Sequence, residues 1–170
     1  MKFHIKERAW TLREAFIVRD QGGQPVFKVT GKFFHIGDNL SVTDYQSHDE
    51  VAHIKQRLIA LTPHYEIYQN GEHRASLHEK LLHLFGERFK IQLENGQDYH
   101  IQGNLWNWNF AVSDEQGNLL AEISKRLSLF EDSYGVDIAQ NVDVPLMIAL
   151  AICIEMIRHH HAEKAEKERG

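Results

Sequence analysis

The feature that most constrains this chain is the run VPLMIALAICIEMI, residues 144–157, in which twelve of fourteen residues are apolar. Val144, Leu146, Met147, Ile148, Leu150, Ile152, Cys153, Ile154, Met156 and Ile157 surround a helix completely, so such a helix needs apolar cover on every side. Asp143 is placed to cap the first turn and Pro145 sits where a missing N–H costs little, which sets the helix at about residues 143–157. At about 1.5 Å per residue the run reaches about 21 Å, short of the roughly 30 Å hydrocarbon core of a bilayer. Asp143 and Glu155 bracket it, so a transmembrane span would draw charge into lipid. The run reads as a central core helix that the protein wraps around. Membrane insertion and an oligomer-interface helix are the alternatives.

What precedes the helix supplies the wrapping. FIVRD (16–20), PVFKV (25–29), LSVTD (40–44), YEIY (65–68), FKIQL (89–93), YHIQG (99–103) and FAVSD (110–114) alternate apolar with polar residues, as half-buried strands do. The turn formers QGGQ, QNGE, ENGQ and EQGN lie between them, each with a glycine able to take positive φ. The hairpins recur in register. Apolar residues at Phe16, Val18, Val29, Phe33, Leu40 and Val42 have counterparts at the same offsets in Phe110, Val112, Ile123, Leu127, Tyr134 and Val136. Units starting at 16, 40, 65, 89, 110 and 134 give a repeat of two strands each, about 12 short strands in all. That number can close a barrel, which removes exposed sheet edges, and such a barrel has room for a helix inside. VAHIKQRLIAL (51–61) and SLHEKLLHLF (76–85) carry helical propensity, but their repeat equivalents at 25–35 and 121–130 look extended, so we assign them as strands.

The 170 residues contain no Pro-, Ser- or Gly-rich linker, so residues 1–157 read as a single barrel domain and 158–170 as a polar charged tail. A net charge of −5 offers no global basic field for nucleic acid, and no nucleic-acid partner is expected. The lone Cys153 excludes an intramolecular disulfide, and MKFHIKERAW lacks the apolar run of a secretory signal, which points to the cytoplasm. Within the apolar run, Cys153 reads as a small buried hydrophobe.

The order IKE (5–7), F-I-V-R-D (16–20) with Gly23, V-F-K-V-x-G-K (26–32), Gly37-Asp38, K-Q-R-L (55–58), P-x-Y-x-I (63–67), A-E-I-S-K-R (121–126) and D-S-Y-x-V (132–136), followed by an apolar terminal helix, resembles the LURP-one-related proteins. That family is grouped with the tubby C-terminal domain and the phospholipid scramblases. The resemblance covers roughly residues 1–157 and implies a mainly β fold, a closed 12-stranded barrel around a hydrophobic C-terminal helix. The tail RHHHAEKAEKERG departs from the family pattern.

No catalytic motif is present: G-x-S-x-G, the P-loop, G-x-G-x-x-G and C-x-x-C are all missing. In HEKLLH the histidines His78 and His83 are five apart, about 140° around a helix and on opposite faces of a strand, so they cannot share a metal locally. His159, His160 and His161 read as a solvated continuation of the helix, and no metal or cofactor is expected. Trp106, Trp108 and Phe110 share one strand face and read as barrel packing in preference to an exposed binding patch, while Trp10 is placed to close one barrel end. The repeat register also brings up a recurring cation. Lys55, Lys80 and Lys125 occupy one offset, Lys32 lies one position later, and Arg57 and Arg126 are close by. In a barrel these six form a broken basic collar, suited to anionic lipid headgroups or a small phosphorylated ligand. The bland alternative is ordinary wet strand ends.

The sequence thus predicts a non-enzymatic, peripheral binding protein. A protein-interaction scaffold, marked by an apolar patch near Trp106 and Trp108, and scramblase-type lipid translocation are the alternatives.

Overall fold

In a computed structural model of the full chain, the described residues are 1–7, 14–32, 37–58, 60–80, 89–104, 108–125 and 133–170. Among them are twelve strands and one helix. The strands are β1 (Lys2–Glu7), β2 (Glu14–Asp20), β3 (Pro25–Lys32), β4 (Asn39–Asp44), β5 (Glu50–Gln56) and β6 (His64–Gln69), followed by β7 (Glu72–Glu79), β8 (Phe89–Leu93), β9 (Asp98–Asn104), β10 (Asn109–Ser113), β11 (Leu119–Ser124) and β12 (Ser133–Ile138). Each pairs antiparallel with its sequence neighbours, and β1 pairs with β12 from Lys2↔Asp137 to Lys6↔Ser133, so the sheet closes into a barrel without a free edge. The helix α1 (Val144–Arg169) follows.

The alternation read in the sequence is the barrel wall. Leu40 and Val42, Ala52 and Ile54, Tyr65 and Ile67, Ala75 and Leu77, and Phe110 and Val112 point inward and are buried, while the residues between them face out. Of the two helix-like stretches, residues 51–56 and 76–79 are strand, whereas 57, 58, 60 and 61 belong to the link after β5, and 59 and 81–85 lie outside the described residues. Residues 50–56 find partners in both β4 and β6, and residues 72–79 in β6 and β8, and this ladder pairing overrides a local preference of a few tenths of a kcal/mol per residue.

Helix α1 fills the barrel. Every residue from Leu146 to Ile157 is buried, as the absence of a polar face required, and each fully covered Leu, Ile or Met contributes about 1.5–3 kcal/mol. The Asp143 carboxylate accepts from the Leu146 N–H at 3.0 Å, the expected cap, and is held in turn by Gln69. The helix does not stop at Ile157 but continues through the polar tail to Arg169. Among the described residues no helix is long and apolar enough to cross a membrane.

The up-and-down order gives the barrel two distinct ends. The tight turns after β2, β4, β6, β8 and β10 gather at one, with Met1 and the start of α1; we name it the turn end. The final residues of β1, β3, β5, β7, β9 and β11 gather at the other. Here α1 emerges, and His161 on the helix meets Glu79, the last residue of β7, at 2.7 Å; this is the exit end.

Candidate functional site

The cations singled out in the sequence converge on the exit end. Lys55 projects outward near the end of β5, opposite Asn39 and Glu66 on the flanking strands. Arg57 follows that strand, its N–H donating to the His64 carbonyl at 2.9 Å and its guanidinium 3.7 Å from the Glu66 carboxylate. Lys80 stands one residue past β7, and exposed Lys125 one past β11, where its N–H donates to the Trp108 carbonyl. Lys32 is the last residue of β3. Arg126 lies outside the described residues, as do Trp10, Trp106 and His83.

These positions lie at or just beyond the exit ends of their strands without forming a pocket. With neighbouring strands about 4.8 Å apart, Lys55 on β5 and Lys80 beyond β7 belong to strands separated by about 10 Å, and β11 lies four strands beyond β7. A single phosphate cannot touch all of them, whereas a broad anionic surface can meet several. The turn end has the opposite character. Its depression lined by Gln97, Asp98, Tyr99, Asp114, Glu115, Gln116 and Leu120 is acidic. Asp114 is held below the usual carboxylate range first by the Asn118 side chain and then by turn N–H groups, and Asp44 likewise by the N–H groups of Ser47 and Gln46.

Two neighbouring strands of the outer wall and the turn after β8 carry a polar network that the sequence reading missed. The Glu66 carboxylate takes His64 Nε2 at 2.9 Å, His73 Nε2 at 2.6 Å and the Ser76 hydroxyl, and Glu94 takes His73 Nδ1 at 2.7 Å. Burial pushes Glu66 upward, but Ser76, His73 and His64 outweigh it and hold its carboxyl below the usual range. His73 is raised, chiefly by its bond to Glu94, against a smaller opposing effect of burial. His78 stacks on His64 at 5.4 Å and is lowered, first by burial and then by His64, Lys90 and Lys80. Ser76, His73 and Glu94 lie in the order of a hydrolytic relay. Glu66, however, occupies both the serine proton and the imidazole nitrogen that would accept it, so the serine has no available base. Only strand register could have brought these residues out of the sequence, because they come from β6, β7 and the turn after β8.

Glu155, Tyr65 and Asp38, buried near the exit mouth, are paired, whereas the buried Trp108 indole N–H has no hydrogen-bond partner among the described residues. Burial raises Glu155, but His159 and Arg158 more than compensate and hold it low, with Arg158 at 2.6 Å. The Tyr65 hydroxyl donates to Asp38 at 3.3 Å, and burial raises the tyrosine. Burial, then Asp38, raises the Cys153 thiol, which stays protonated inside the barrel. No group of three His, Cys, Asp or Glu among the described residues is arranged to hold a metal. Trp108 is buried as packing, stacked on Tyr134 at 4.4 Å and edge-on to Phe110, so it offers no exposed aromatic patch. It precedes β10 with φ of 49°, a turn position and not the strand position expected.

A closed antiparallel barrel threaded by its own C-terminal helix defines the class. Residues 1–155 match the LURP-one-related family, and the chain belongs to that family. It is 30% identical over 165 residues to YxjI of Bacillus subtilis (strain 168), itself described as uncharacterized, with 97% of this chain and 98% of that protein covered. A solved structure of a protein from Arabidopsis thaliana shares the fold at a TM-score of 0.65 and 13% identity, covering 91% of this chain and 90% of that one.

Proposed function

We propose that this protein is a non-enzymatic, peripheral binder of anionic lipid headgroups in the cytoplasm, acting as a membrane-linked sensor or regulator through its exit end. The observation that carries the reading is the shared location of Lys55, Arg57, Lys80 and Lys125 on one rim, with Asp44, Asp98, Asp114 and Glu115 at the far end. An anionic surface attracts the first end and repels the second, so charge alone orients the barrel despite its negative total. The spacing of the cations favours a surface over a small phosphorylated ligand. A scaffold role gains nothing from Trp108, which is buried, and translocation of scramblase type would require α1 to leave its cover.

The test is co-sedimentation of the full chain with phosphatidylcholine vesicles of graded phosphatidylserine content at two salt concentrations. At about 1 kcal/mol per cation near an anionic surface, Lys55→Glu/Lys80→Glu/Lys125→Glu lowers binding by on the order of a hundredfold or more, and salt lowers the parent's binding in the same direction. Unchanged binding of the triple variant overturns the reading.

A further inference from the structure

We infer that the link between β5 and β6 is the part of the exit end that enters a lipid surface, with Leu58 and Leu61 inserted and Lys55 and Arg57 held at headgroup level. The inference rests on the lipid reading above and adds its geometry.

Leu58 is 63% exposed and Leu61 is 91% exposed. Most globular proteins carry scattered exposed leucines without consequence, so a single one decides nothing. Here two stand three residues apart on one link, directly beyond two cations, whereas among the described residues the other large exposed apolar ones, Met1, Tyr45 and Leu119, are distributed singly over the turn end. Apolar tips flanked by basic residues match the layering of an anionic bilayer, whose charge lies outside its hydrocarbon.

The base beneath the leucines is fixed. The Gln56 side-chain oxygen accepts from the Gly37 and Asp38 N–H groups at 3.0 and 3.2 Å, and the Gln56 N–H donates to the Asp38 carbonyl at 2.8 Å. Arg57 N–H and Glu79 N–H donate to the carbonyls of His64 and Pro63, so both ends of the link are tied to the barrel. Gly37 leaves room for Leu58: a Cβ on that glycine would stand 3.3 Å from a Leu58 methyl. A tip presented from a tied base loses less conformational freedom on insertion than a loose one.

Helix α1 decides why one corner makes contact instead of the whole rim. Residues 158–169 continue past the last buried turn, about 18 Å of charged helix, half-buried at Arg158, His159 and His161 and otherwise exposed, leaving through the same end. A flat surface cannot meet the rim squarely with that helix in place, so the barrel must lean, and the β5–β6 corner carries both cations and leucines.

The experiment uses the full chain with a single polarity-sensitive fluorophore on Leu61→Cys. Cys153 is fully buried inside the barrel, so labelling goes to the new thiol. The probes are phosphatidylserine-containing vesicles with and without brominated lipid, and Leu119→Cys at the turn end is the control. Insertion predicts a blue shift and quenching at position 61, neither at 119, and roughly tenfold weaker binding for each of Leu58→Ser and Leu61→Ser. Salt-sensitive pelleting with no quenching at position 61 overturns the insertion and leaves the lipid reading intact. Absence of pelleting by the parent chain overturns both. Melting of the serine variants at the parent temperature separates lost insertion from lost folding.

Discussion

The two ends of the barrel solve the same geometric problem, reversing the chain between neighbouring strands, with different means. At the turn end the reversals are tight and polar, and Gly23, Gly71, Gly96 and Gly117 take φ values between 78° and 83° with open space where a side chain would go. Their glycines serve backbone torsion alone. At the exit end Gly31 and Gly103, at φ of 135° and 156°, serve torsion and space together: a Cβ would stand 2.1 Å from the Asn39 carbonyl oxygen in the first case and 2.2 Å from that of Asn109 in the second. The four turn-end glycines answer to backbone torsion alone, these two also to how closely the sheet curls on itself. Carboxylates crowd the first end, and cations with exposed leucines mark the second.

Substituting alanine for these glycines breaks the comparison most sharply. Gly31→Ala and Gly103→Ala force a methyl into backbone that cannot move cheaply and cost about 3 kcal/mol or more, whereas Gly96→Ala and Gly117→Ala meet only torsional strain of about 1–2 kcal/mol. Urea denaturation of the four variants measures the gap; equal losses at both ends would erase the distinction. The next effect belongs to the turn end alone. Asp143→Ala removes the acceptor for the Leu146 N–H and costs about 1 kcal/mol, seen as a lower urea midpoint with an unchanged slope.

The smallest effect probes the carboxylate excess. His73, raised by Glu94 and Glu66, titrates higher folded than unfolded, where its value is about 6.5. Its contribution is therefore complete below about pH 6.5 and is lost as pH rises through the raised folded value. Melting temperature followed across that window falls with pH in the parent and falls less in His73→Gln. Parallel curves would place the cause elsewhere.

Much of this architecture was legible in the sequence because strand alternation and an unbroken apolar helix are periodic signals. Residues 76–85 look helical in isolation, yet their offset from repeats that look extended identified them as strand, and the part of them in β7, residues 76–79, is seen between β6 and β8. The placement of Lys55, Lys80 and Lys125 toward the same end of the barrel followed from the same offset. What escaped depended on contacts between strands: Glu66 gathers His64, His73 and Ser76 through a pairing that no single stretch records. Leu58 and Leu61 escaped for a different reason. Within KQRLIAL, Leu58 continues the inward parity of Ala52 and Ile54 and Leu61 falls on the opposite face, but β5 ends at Gln56 and leaves both beyond the wall.

The helix inside the barrel also governs the order in which the molecule can come into being. A ribosome delivers β1 first, yet its partner β12 emerges more than a hundred residues later, and the side chains that line the interior follow β12. Until α1 is released the inner wall has nothing to pack against, and pairing at such separation is slow. A product terminated before α1 would be an unlined shell with its apolar face open to water. Synthesis of the last helix therefore acts as a completion check: chains that lack it stay in the pool that chaperones and proteases survey.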